Sequence, residues 1–125
     1  MGIYISTRIK KDIPDDALSV LQHLFDWGNR PSTLPDHPLF QTERWDSISK
    51  YSSDYFSFSS SMRHFIYDTI TNNYHILFLC NMKTYNNEIE KFFQWINPYL
   101  DVQVGDHIGH YRYEEDTIPT LLYKR

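Results

Sequence analysis

The stretch SMRHFIYDTITNNYHILFLCN, residues 61–81, decides the fold of this chain. Ile76-Leu77-Phe78-Leu79-Cys80 is an unbroken apolar run, which suits a central strand covered on both faces or nearly so. Cys80 reads there as a small buried hydrophobe. The first half of the stretch has two readings. Met62, Phe65, Ile66 and Ile70 fit one stripe of a helix. They also fit the first arm of a hairpin that closes near Asn72-Asn73 and returns along Tyr74 to Asn81. The hairpin is preferred, because residues 66–71 are rich in β-branched and aromatic side chains and asparagine tolerates positive φ in a tight turn.

The flanking segments extend this reading in both directions. Near the start, Ile3, Ile5, Thr7 and Ile9 alternate with Tyr4, Ser6 and Arg8, the pattern of a strand with one buried side. Pro14 suits a first helical position, Asp15 and Asp16 suit the positive end of the helix dipole, and Leu18, Leu21, Leu24 and Phe25 follow helical spacing. This predicts a helix over residues 15–27, stopped by Gly28 and Asn29. Past the hairpin, Asn86 or Asn87 caps a second helix over residues 87–97, with Ile89, Phe92, Phe93, Ile96 and Leu100 as its stripe. Pro98 limits it, and Trp95 stands off the stripe and is expected half exposed. His107 to Tyr113 then reads as a strand, Glu114-Glu115-Asp116 as a polar turn, and Thr120 to Tyr123 as a closing strand with Pro119 at its start.

Residues 29–54 are the irregular part, a loop holding Pro31, Pro35 and Pro38. Thr42 to Ile48 suits a helical turn, and Phe40 and Trp45 are placed to pin the loop to the body. Tyr55 to Ser59 alternates as a strand, with Phe56 and Phe58 turned to the core. The order β-α-loop-β-β-β-α-β-β is that of one α+β domain spanning residues 1–125. The expected architecture is a mostly antiparallel sheet with two helices on one face, a ferredoxin-like core with extra strands.

Composition excludes several classes of function. With 125 residues, the chain is the size of one domain. Its 4 glycines form no phosphate-cradling loop, and its single Cys excludes a disulfide framework or a cysteine-based zinc finger. A net charge of −4 disfavours direct binding to nucleic acid or to an anionic membrane. No run of apolar residues is long enough to span a bilayer. Met1 to Lys11 lacks the apolar stretch of a signal peptide, so the expected location is cytoplasmic.

Catalytic chemistry is weakly signalled. The six histidines are His23, His37, His64, His75, His107 and His110. His107 and His110 are three apart in an expected strand, so they should point to opposite faces and not share a metal. No metal site and no cofactor are expected. His64, His75, His107 and Glu114 would make an acid–base set if they converged across adjacent strands.

Charge is the more informative signal. Asp106, Glu114, Glu115 and Asp116 cluster around Arg112 in the last third. Asp36, Glu43, Asp46 and Asp54 outnumber Arg44 and Lys50 in the loop. Brought to one side, these carboxylates would form an acidic surface rimmed by Trp45, Tyr111 and Tyr113, suited to a basic protein partner. The plainer reading is a solvated turn and a solvated loop.

The helix with Phe92, Phe93, Trp95 and Ile96, followed by GDHIGHYRYEED over residues 105–116 and by Pro119 to Tyr123, resembles the end of bacterial immunity proteins of polymorphic-toxin and contact-dependent-inhibition systems. The likeness covers residues 86–124. It implies a non-catalytic protein that binds a cognate toxin, often a nuclease, and occludes its active site. Of the family's interface, Glu114 to Asp116 and the strand tyrosines carry over. The Pro-rich insert departs from the pattern. Two other functions stay open: a metal-independent hydrolase or nuclease using His and Glu, and a small-ligand regulatory module.

Overall fold

The computed structural model describes residues 2–25, 29–43, 45–47, 63–81, 87–113 and 115–125. It is an α+β fold. Five strands form one antiparallel sheet: β1 (Gly2–Ile9), β2 (Arg63–Asp68), β3 (Asn73–Asn81), β4 (His107–Arg112) and β5 (Thr120–Tyr123). Their spatial order is β2-β3-β1-β4-β5. Two helices, α1 (Asp15–Phe25) and α2 (Glu88–Ile96), supply the long connections. The crossovers interleave: β3 lies between β1 and β2, and β1 lies between β3 and β4.

Residues 63–81 form the hairpin. Asp68 pairs with Asn73, and the four residues between them make the turn, with Asn72 at φ 58°. Asp68 shapes this turn by accepting the backbone N–H of Ile70 at 2.9 Å. The helical alternative fails because Phe65 pairs with Ile76 across the ladder and stacks on Tyr74 at 4.7 Å.

The alternation in β1 appears as written. Ile3, Ile5, Thr7 and Ile9 are buried, and the residues between them are half-buried. Both helices lie on that buried side. Phe25 of α1 stacks on Phe78 of β3 at 4.6 Å, and Phe92 of α2 meets both rings edge-on at 6.2 Å. The run in β3 is buried on that side at Ile76 and Phe78; on the other face Leu77 is half-buried and Leu79 is buried.

Three local expectations need correction or fall elsewhere. Trp95 is 4% exposed, because Phe40 covers it edge-on at 5.1 Å. Asn87 sits at φ 56° and makes no side-chain cap hydrogen bond. The Thr42–Ile48 turn is realised as a short 3-10 turn at Trp45–Ser47, preceded by another at Pro38–Gln41. The strand expected at residues 55–59, the end of α1 past Phe25 and the Cys80 side chain lie outside what is described. No helix among the described residues is long and apolar enough to cross a membrane.

Candidate functional site

Of the residues singled out above, the β4–β5 connection carries Tyr113, Glu115 and Asp116, next to Tyr111 of β4. Asp116 fixes its shape. Its carboxylate accepts the Tyr113 N–H at 3.2 Å, its own N–H donates to the Tyr113 carbonyl at 3.0 Å, and its carbonyl accepts Arg112 Nε at 2.8 Å. Asp116 is therefore tied into the turn by its backbone and one carboxylate oxygen. Glu115 is exposed beside it. Tyr113 is 39% exposed and meets Tyr111 edge-on at 5.9 Å, while Tyr111 leans on the core. A carboxylate and a phenol ring are thus presented outward from a turn whose backbone is braced, which lowers the backbone entropy lost on binding. Glu114 lies outside the described residues.

The other predicted site residues are distributed differently. Asp106 belongs to a second turn, where it accepts the Gln103 N–H at 2.9 Å. That turn is at the opposite end of β4, about 23 Å from Tyr113 at ~3.3 Å per strand residue. Asp36 and Glu43 are exposed on the loop that lies against the helices. Asp46 is bound to Arg30 at 2.7 Å. Asp54 lies outside the described residues.

Trp45 is not a rim residue: it is 2% exposed. His23 of α1, Phe40 and the Arg30 guanidinium, 5.2 Å from its ring centroid, enclose it. It holds the loop on the helices, and so does Phe40 through Trp95.

The face of the sheet away from the helices carries a second group of polar residues. Register puts Arg8 beside His75 and Ser6 beside Leu77, with His64 across from Leu77 and Ile66 across from His75. His64 Nε2 and His75 Nδ1 are 3.1 Å apart, so one ring donates to the other. His75 Nε2 is 3.5 Å from Ser6 Oγ. Burial holds the His75 pKa below its ordinary 6.5, and the charges of Arg8 and His64 push the same way, against Asp68. Arg8 pairs with Asp68 at 3.1 Å. Backbone N–H donation, first from Ile70, holds the Asp68 pKa below its ordinary value. Tyr4 stacks on His110 at 5.4 Å two residues further along β1.

His107 and His110 share this face instead of opposing each other. The pairing of β4 with β5 shifts between His107 and Gly109, so His107 faces Tyr123 and His110 faces Leu121. A one-residue bulge puts Ile108 and Gly109 together on the core side. Gly109 is required there, since a Cβ would stand 2.2 Å from the Tyr4 carbonyl oxygen.

Sequence reasoning anticipated His64 and His75 as candidates for convergence. It did not place Ser6, Arg8, Tyr4 and His110 beside them. The available signal was the alternation of β1, which sets Tyr4, Ser6 and Arg8 on one face. Among the described residues, no group of three or more His, Cys, Asp or Glu side chains is placed to hold a metal ion. Comparison with family models, curated proteins and solved structures found no match.

Proposed function

We propose that this is a non-catalytic binding protein of the immunity type. It docks on a basic protein partner, a nuclease toxin domain, and covers its active site. The observation that supports this most is the braced β4–β5 turn, which holds Tyr113 and Glu115 outward. Tyrosine brings large contact area at low entropic cost, and a carboxylate beside it suits a surface built to bind phosphates. The resemblance of residues 86–124 to immunity proteins points the same way. Cytoplasmic residence goes with this reading, as does the absence of a direct nucleic-acid partner.

The test is first whether a toxin-ending gene lies directly upstream, and then co-expression with its product. Co-purification is expected. Glu115→Lys should weaken the complex by about tenfold or more at low salt, and its salt dependence should flatten. A complex that forms equally well with Glu115→Lys and Tyr113→Ala would place the interface elsewhere.

One observation favours a second reading. His64 and His75 touch, and a pair of imidazoles beside Ser6 and Arg8 is able to move a proton in a metal-independent hydrolysis. Loss of a measured turnover in both His64→Ala and His75→Ala, with the fold intact, would favour it over the binding role.

A further inference from the structure

We infer that His64 of β2 and His75 of β3 form a two-imidazole site for a borderline divalent metal ion, zinc(II) or copper(II), which bridges the two strands of the hairpin. The inference is independent of the proposed immunity role. It competes with the metal-independent reading, which needs the same two ring nitrogens for a proton.

Spacing along the chain argues against such a site, because no two of the six histidines stand two apart on a strand or four apart on a helix. The hairpin register supplies what spacing lacks. His64 lies across from Leu77, so His75 is its diagonal neighbour on the same face, two residues back on β3. Diagonal partners on a sheet face are within reach of ring side chains. The two rings meet at a centroid distance of 4.9 Å, with their planes at 61°.

The contact has the dimensions of a ligand pair. Two imidazole nitrogens on one ion, each about 2.0–2.1 Å from it, stand about 2.9 Å apart at a right angle and about 3.4 Å apart at the tetrahedral angle. His64 Nε2 and His75 Nδ1 are 3.1 Å apart, between these values. As hydrogen-bonded, one ring donates a single proton to the other. To admit an ion, that proton passes through solvent to the far nitrogen of its own ring, and each ring turns its lone pair toward a shared point off the N···N line. His75 Nε2, the nitrogen away from His64, is 3.5 Å from Ser6 Oγ. An imidazole that binds a metal through one nitrogen ordinarily donates its other N–H to an oxygen, which fixes tautomer and ring orientation. Ser6 is the positioning residue placed for that.

Charge at the site permits a cation. Arg8 lies beside His75 in register, but Asp68 pairs with it at 3.1 Å and balances its charge. The donor set selects the ion. Imidazole suits zinc and copper, whereas magnesium and calcium require oxygen ligands. Asp68 is the one carboxylate that the described strands place on this face, and its oxygens are engaged by Arg8 and by the Ile70 N–H. No third His, Cys, Asp or Glu joins the pair among the described residues, which leaves the remaining positions to water. Two of the four ligands of a structural zinc site correspond to a dissociation constant of about 1–200 μM.

The test titrates untagged, isotope-labelled protein with zinc chloride, and a second sample with copper sulfate, while amide spectra are recorded. Saturable zinc binding in that range is expected, with shifts centred on His64, His75 and Ser6, and copper should broaden the same amides. The melting temperature should rise by about 3–6 °C at ten times the dissociation constant. His64→Asn and His75→Asn should each weaken binding at least tenfold, and His107→Asn should leave it unchanged. If either of the first two variants is unfolded without metal, the copper broadening of the native chain decides between the histidines. Four outcomes would overturn the inference: no saturable binding up to about 1 mM zinc, broadening centred on His23, His37, His107 or His110, unchanged affinity in folded His64→Asn and His75→Asn, or equal shifts with magnesium chloride. No toxin partner is present in these samples, so the outcome is separate from that of co-expression.

Discussion

The two faces of the sheet are built from alternate residues of the same strands, and they have opposite characters. One carries Ile3, Ile5, Ile9, Phe65, Ile76 and Phe78, all buried beneath the helices. The other carries Tyr4, Ser6, Arg8, His64 and His75, half-buried and linked by polar contacts. A one-residue step along any strand moves from the side that stabilises the fold to the side that carries titratable chemistry. Substitutions on the two faces should therefore fall into separate ranges of stability.

The largest effect is expected at Phe78, whose ring contacts Phe25 and Phe92. Phe78→Ala should cost about 3–5 kcal/mol in urea unfolding, because it removes buried apolar area and leaves a cavity. Gly109→Ala comes next. Its methyl group must push β4 from β1, at a cost of about 1–3 kcal/mol. Amide exchange should accelerate across β4 and β5 and stay unchanged in the β2–β3 hairpin. Uniform acceleration would mean that the β4 bulge has no local role.

The pH dependence tests the open face. The His75 pKa is lowered in the fold, so the unfolded chain takes up the proton more readily. Its contribution to stability is complete above the ordinary value of 6.5 and is lost as pH falls toward the folded value. The melting temperature should drop as pH goes below that point, and His75→Gln should flatten the slope. A melting temperature that rises on acidification would reverse the reading of the cluster. The smallest effect is expected at Arg8, a half-exposed partner of Asp68. Arg8→Ala should change stability by less than about 1 kcal/mol. A loss as large as that of Phe78→Ala would erase the difference between the faces.

What was legible in the sequence follows the same division. Alternation in residues 2–9 and the three- and four-residue steps in residues 88–96 identify the buried sides, because burial imposes a period on the chain. The environment of Trp95 was hidden, since its cover, Phe40, comes from a loop 55 positions earlier that no period describes. The shared face of His107 and His110 was hidden by a bulge, which exists only relative to the pairing with β5. The contact of His64 with His75 depends on hairpin register, so the sequence named both residues and could not join them. By sequence Trp45 suits both a pin and a rim; the ring contacts with His23 and Phe40 leave the pin.

Recognition at the β4–β5 turn is tested most directly by amide shift mapping as the basic partner is titrated into the labelled protein. Shifts and broadening concentrated on Tyr111, Tyr113, Glu115 and Asp116 are the expected result. Changes centred on His64, His75 and Arg8, with the turn unmoved, would contradict it and assign recognition to the open face.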